Sequence, residues 1–215
     1  MRIASEGYPF IFGLGAAVFA CFLIGHTVGN AAGWILLAAA FFCIFFFRDP
    51  PRNPAQDPRY IISPGDGRVM EVTEENHPLF TGKVRVIRIF LSIFNVHVQH
   101  SPIAGKVSFI EYRKGKFLDA RNPRAAHENE NNSILIENGQ VKVLVKQVAG
   151  LIARRISCQV KMGQQVQVGQ KLGLIRFGSQ VDVYLPLDLE VCVAPGDRVV
   201  SGVSMIAMNK KILGK

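Results

Sequence analysis

The chain has 215 residues, 49% of them hydrophobic, with 25 Lys and Arg against 16 Asp and Glu for a formal charge of +9. That composition excludes a disordered tail and supplies enough chain for a buried core with more besides. The charge is unevenly placed: Gly7 to Phe47 holds no Asp, Glu, Lys or Arg, so the whole +9 belongs to the remainder.

The uncharged stretch of 41 residues is about twice what a helix needs to cross roughly 30 Å of hydrocarbon. Gly25-His26-Thr27-Val28-Gly29-Asn30 interrupts it near the middle. Residues 1–47 are therefore expected to form an N-terminal two-helix transmembrane hairpin. A cleavable signal peptide is the rival reading, but the apolar run continues to Phe47 without a convincing small-residue cleavage site. Arg2 precedes the first span and Arg48, Arg52 and Arg59 follow the second. The positive-inside rule then puts both ends in the cytoplasm, with the rest of the chain against the inner face of the cell membrane. Residues 48–55, carrying Pro50, Pro51 and Pro54, read as a stiff Pro-rich linker.

From 56 to 215 the pattern is mostly of period two, at Lys83 to Phe90, Lys106 to Ile110, Ser133 to Ile136 and Val141 to Val145. Asn138-Gly139 between the last two is a hairpin signal. Gly115 to Asn132 is the polar exception, expected to be a loop with a little helix. Val160 to Leu172 echoes Val193 to Gly202, each a strand, a glycine turn and a second glycine. Such half-motifs build the sandwich of biotinyl and lipoyl carriers. The expected fold is mainly β (α+β), a hammerhead or barrel-sandwich-like β domain. A carrier needs an exposed lysine between the halves, and Arg176 to Asp182 has none. A noncatalytic membrane-tethered module of that kind therefore keeps the scaffold without the attachment point.

Cysteine use points to a reducing compartment. Cys21 and Cys43 lie in the apolar spans, Cys158 and Cys192 are far apart, and no metal-ligand spacing occurs. No zinc site or phosphate-cradling glycine loop is expected. A basic domain beside a membrane meets anionic headgroups before nucleic acid, so nucleic acid is not an expected partner.

The candidate chemistry rests on Asp66 in Ser63-Pro64-Gly65-Asp66-Gly67-Arg68, on His97 and His100, and on Ser179 in a Gly-Ser step. Each has an ordinary reading: a turn aspartate, hydrogen-bonded core histidines, a common dipeptide. Together the three types can make a base-activated nucleophile in any chain order. The Gly-x-Ser-x-Gly elbow of a lipase is missing, which leaves a lipid-active serine hydrolase as one reading among others.

Larger segments carry a resemblance. Gln147 to Ile156, the run Phe177-Gly178-Ser179-Gln180-Val181-Asp182-Val183-Tyr184-Leu185-Pro186 within Lys171 to Pro186, the Ser63 to Arg68 turn and the two-histidine strand are its main parts. With Phe47-Arg48-Asp49-Pro50, and with Gly115 to Ala120 and Glu128-Asn129-Glu130, they resemble the short bacterial form of the phosphatidylserine decarboxylase proenzyme family. The likeness runs over nearly the whole chain. It departs at Glu128-Asn129-Glu130-Asn131, where the family commonly has Arg after Asn-Glu, and so leaves the role of that loop open.

The resemblance implies a chain that cuts itself between Gly178 and Ser179. The products would be a large chain 1–178 and a small chain 179–215 held together as a heterodimer, with Ser179 converted to a covalent pyruvoyl group. That group would replace pyridoxal phosphate, need no metal, and form a Schiff base with the amine of phosphatidylserine in the membrane. It would accept electrons as carbon dioxide leaves, giving phosphatidylethanolamine for phospholipid biosynthesis. The family pattern puts the base at His100, oriented by Asp66, and the acid that protonates the substrate carbanion at His97. Arg48, Arg52, Arg59, Arg154 and Arg155 can meet lipid phosphate but read equally well as solvated charge. Assembly into a homo-oligomer, and a related serine lipid such as archaetidylserine as substrate, are left open.

Overall fold

The computed structural model describes residues 2–151, 155–176 and 178–213. The chain folds as two units, Met1–Pro51 and Arg52–Lys215, which divide inside the proline-rich linker.

In the first unit α1 (Tyr8–Ile24) has Pro9 in its first turn, where the missing N–H costs nothing. It ends at Gly25, whose φ of 70° gives a left-handed cap that glycine adopts freely. His26 is extended and α2 (Thr27–Phe46) begins at once. The connection is thus shorter than the six-residue interruption in the sequence, because Val28, Gly29 and Asn30 enter the first turn of α2. Small residues let the two helices close. A Cβ on Gly33 would come within 2.9 Å of the Phe22 ring, and Phe22 meets Trp34 edge-on at 5.5 Å. Short strands β1 (Arg2–Ile3) and β2 (Arg48–Asp49) pair across the open end of the hairpin. The segments Ser5–Ile24 and Thr27–Phe46 each have 20 residues at a mean hydropathy of 2.0, long and apolar enough to cross about 30 Å of hydrocarbon.

The second unit is built from strands. They are β3 (Tyr60–Ile62), β4 (Gly67–Asn76), β5 (Lys83–Leu91), β6 (Val98–His100), β7 (Gly105–Arg113), β8 (Asn131–Glu137), β9 (Lys142–Ala149), β10 (Ile156–Cys158), β11 (Gln165–Val166), β12 (Lys171–Ile175), β13 (Ser179–Pro186), β14 (Glu190–Val191), β15 (Arg198–Val199) and β16 (Met205–Met208). One short helix, α3 (Ala125–Glu128), lies in the polar loop, as expected from its composition. Eight strands form a curled antiparallel sheet, β11-β7-β8-β9-β13-β5-β4-β15, and two three-stranded sheets, β10-β12-β6 and β14-β16-β3, complete the fold.

Local chemistry explains several of these elements. Asn138 closes the β8–β9 hairpin by accepting the Gln140 and Val141 N–H groups, and Gly139 turns through a φ of 79°. The two echoing segments supply β11 and β15, which pair with β7 and β4 at opposite edges of the large sheet. Gly163, Gly169, Gly196 and Gly202 make the repeated turns, all with positive φ. The core lies on one face of the curled sheet. Ile87, Ile89 and Leu91 of β5, Val181, Val183 and Leu185 of β13, Val143 and Val145 of β9 and Ile134 and Ile136 of β8 alternate into it. Val84, Val86, Leu135, Leu144 and Tyr184 form a smaller apolar patch on the opposite face.

Candidate active site

Ser179 is the first residue of β13, the strand between β9 and β5, and it stands opposite Ala149 on one side and Leu91 on the other. Gly178 before it has a φ of 70°, a conformation that side chains resist. Ser179 is wholly buried, and its Oγ has no hydrogen-bond partner among the described residues. Gly150, just after β9, faces the carbonyl of Gly178 so closely that a Cβ there would lie 2.3 Å from the oxygen. Phe177 of the cleavage run lies outside the described residues.

His97 touches this junction. Its Nε2 accepts the Gly178 N–H at 3.3 Å, and its Nδ1 lies 3.0 Å from the Asn95 carbonyl. A carbonyl only accepts, so Nδ1 carries the proton and Nε2 presents its lone pair to the scissile segment. Asn95 is itself fixed, its side-chain oxygen accepting the Ser92 N–H and hydroxyl.

His100 belongs to a second cluster. Its Nδ1 is 2.8 Å from Ser201 Oγ, and that hydroxyl donates to the Pro64 carbonyl at 2.7 Å. The single hydroxyl proton is used on Pro64, so Ser201 Oγ accepts from His100 Nδ1–H and leaves Nε2 basic. The Ser201 N–H donates to Asp66 Oδ1 at 2.6 Å, and Arg52 Nη2 holds both carboxylate oxygens at 3.1 and 2.9 Å. Asp66 is therefore linked to the imidazole through Ser201.

Period-two reasoning passes over a buried amide chain beneath the site. Asn132 Nδ2 donates to Gln147, Gln147 Nε2 to Gln99, and Gln99 Nε2 to the His97 carbonyl. All three side chains are buried. Their signal in the sequence is a polar residue at a strand position where an apolar one belongs. Asn129 staples the polar loop by bonding Leu118 through both its amide and its carbonyl and by reaching the Ala149 carbonyl, which gives that loop a role.

A cavity of about 280 Å³ opens beside Gly178, with Phe90, Ile93 and Leu151 as its apolar wall and Asp119 and Arg121 at its edge. Of the other arginines, Arg59 pairs with Asp57 and Arg48 bonds the Phe45 carbonyl. Arg154 lies outside the described residues.

A family model described as phosphatidylserine decarboxylase matches residues 39–207. The phosphatidylserine decarboxylase proenzyme of Magnetococcus marinus is 43% identical over 212 residues, covering 97% of this chain and 95% of that protein. The proenzyme of Symbiobacterium thermophilum is 46% identical over 206 residues, 95% of this chain and 94% of its own length. That of Wolbachia pipientis is 40% identical over 217 residues, 98% and 93% respectively.

Proposed function

The chain belongs to the phosphatidylserine decarboxylase family, and from that premise we propose that it makes its own cofactor from Ser179. Its reaction is the conversion of phosphatidylserine to phosphatidylethanolamine and carbon dioxide. The observation that carries the proposal is the buried Ser179 Oγ, without a partner among the described residues, next to the left-handed Gly178. Leaving such a hydroxyl unpaired costs about 1–3 kcal/mol, a cost that makes sense for a group consumed during maturation.

Maturation proceeds from the chain's own groups. His100 Nε2 takes the Ser179 hydroxyl proton, and Oγ attacks the Gly178 carbonyl carbon, which has no side chain to obstruct it. The Gly178–Ser179 amide becomes an ester as the nitrogen leaves with a proton. Loss of the Ser179 α-proton then expels Gly178 as a carboxylate that carries away the former Oγ. Water converts the remaining dehydroalanine to a pyruvoyl group and ammonia. Asp66, acting through Ser201, holds the His100 tautomer in which the proton is on Nδ1 and the lone pair on Nε2.

The two products stay together, because β13 of the small chain 179–215 lies between β9 and β5 of the large chain 1–178. The pyruvoyl carbonyl supplies an electron sink for the carbon that loses carbon dioxide. His97, already at this junction, would take up a proton from solvent on Nε2, its Nδ1–H being held by Asn95, and would give that proton to the carbon as general acid. The cavity beside Gly178 receives the headgroup. The apolar hairpin holds the unit at the cell membrane with the catalytic side in the cytoplasm, as Arg2, Arg48 and Arg52 favour.

Intact mass of the purified protein tests this. Two chains are expected, 1–178 and 179–215, the smaller blocked to Edman degradation. A free serine amine at position 179 in active protein overturns pyruvoyl formation, and a single active chain overturns the self-cleavage.

A further inference from the structure

Arg52 is the first residue of the β unit and follows directly on the run Pro50-Pro51. By sequence it is a linker charge beside a membrane. Its side chain instead is only 15% exposed and holds a carboxylate that is 13% exposed. Behind that pair lies Ser201, fully buried and bonded to Asp66, to Pro64 and to His100. Gly202, with a φ of 72°, lets the turn pass against both ends of the cluster. A Cβ there would meet the Arg52 side chain at 3.4 Å and the His100 ring at 3.6 Å.

We infer that Arg52 and Ser201 are positioning residues for self-cleavage, forming with Asp66 a relay that fixes the proton of His100 on Nδ1. The inference rests on the reading of His100 as the base that activates Ser179. Each link has a definite job. Arg52 compensates the buried Asp66 charge, which is strongly unfavourable when its partner is removed. Asp66 then anchors the Ser201 backbone through its N–H, and that placement lets Ser201 Oγ give its proton to Pro64 and accept from His100. Without the relay the imidazole divides between tautomers, and the form with the proton on Nε2 cannot take one from Ser179. A residue of the juxtamembrane linker thereby enters the machinery that matures the enzyme.

The test follows cleavage of the full-length chain with time after cell-free synthesis in detergent, by gel and intact mass. Arg52→Ala is expected to slow cleavage by about a hundredfold, the scale of a compromised general base, and millimolar guanidinium ion is expected to restore much of the rate. Ser201→Ala is expected to slow it by at least about tenfold, while Ser201→Thr, which keeps the hydroxyl, recovers most of the loss. Thermal unfolding of each uncut chain checks folding. Should Arg52→Ala unfold, the contrast between Ser201→Ala and Ser201→Thr decides by itself. The relay is overturned if His100→Ala stays uncut while both alanine variants cleave at the native rate, or if neither guanidinium nor threonine restores anything. Native cleavage by His100→Ala would instead overturn the reading beneath it.

Discussion

Strand β13 carries two buried oxygens that lack a hydrogen-bond partner among the described residues, Ser179 Oγ and Asp182 Oδ2, and they lie on opposite faces of the strand. Ser179 shares the face of Val181, Val183 and Leu185, which build the main core, while Asp182 shares the face of Gln180 and Tyr184. The serine sits at the strand's start, after a left-handed glycine and beside a histidine that bonds the preceding amide. The aspartate sits in mid-strand, with the Arg88 Nε 3.7 Å away and the ends of that guanidinium already engaged by Glu71 and Glu75. Burial pushes the Asp182 carboxyl up to about 6, against the pull of Arg88 and Lys146. An unpaired buried oxygen is therefore not by itself a mark of catalysis. In the proposed function the Gly178 carbonyl and a base to activate the hydroxyl set Ser179 apart, whereas at Asp182 the same condition gives a displaced titration.

Substitution on each face separates the two cases. Ser179→Ala is expected to remain one chain of full length with no decarboxylase activity, because nucleophile and cofactor precursor vanish together. Asp182→Asn is expected to cut itself and turn over phosphatidylserine. Intact mass and release of carbon dioxide from lipid vesicles read both outcomes, and an uncut Asp182→Asn chain would break the comparison.

The two histidines sharpen it further. His100→Ala is expected to accumulate precursor, since an unassisted serine hydroxyl is a poor nucleophile near neutral pH. His97→Ala is expected to cleave yet turn over about a hundredfold or more slowly, the usual scale for a lost general acid. Borohydride trapping of substrate on the small chain of His97→Ala, and none on the His100→Ala precursor, would confirm the division. The reverse pattern would exchange the roles, and the His97 contact with the Gly178 N–H makes this a demanding test.

Gly150 offers a smaller perturbation of the same face. A methyl group there would lie 2.3 Å from the Gly178 oxygen, so Gly150→Ala must displace the scissile carbonyl. Cleavage is expected to slow by about one to two orders of magnitude, because an angstrom of misplacement is enough to cost that much. The unfolding midpoint is expected to change by much less than for a core truncation. A native cleavage rate would mean that the carbonyl has room to move.

The sequence made the hairpin, the strands and the Gly-Ser step legible because each is local. An uncharged run, an alternation and a dipeptide are all read within a few residues. The relay behind His100 was illegible because it joins Arg52, Asp66 and Ser201 across well over a hundred positions, and nothing in Pro51-Arg52-Asn53 distinguishes a buried ion pair from a solvated charge. Gly150 carries no signal of its own in the sequence, since a close approach between two backbones leaves no pattern in one chain. Gln99 and Gln147 were readable in principle, as polar residues interrupting the apolar face of a strand. The two edge strands β11 and β15 show the opposite limit: their echo was visible, but the eight-stranded sheet that separates them was not.

The finest test concerns pH and the non-catalytic face. A free aspartate titrates near 3.9, whereas burial raises the Asp182 carboxyl to about 6, so between those values the folded chain binds the proton that the unfolded chain has released. This group's stabilisation is complete below about pH 4 and is lost as pH rises through about 6. The difference amounts to about 3 kcal/mol at most. Asp182→Asn has no proton to lose there, so the stability of the native chain relative to the variant is expected to be greater at pH 4.5 than at pH 7.5. At about 2–4 °C per kcal/mol for a unit of this size, unfolding midpoints measured in one detergent at both pH values resolve it. A relative stability that instead increases with pH would mean that Arg88 and Lys146 outweigh burial. Asp182 would then be an ion-paired carboxylate, and the likeness between the two unpaired oxygens on β13 would end at their exposure.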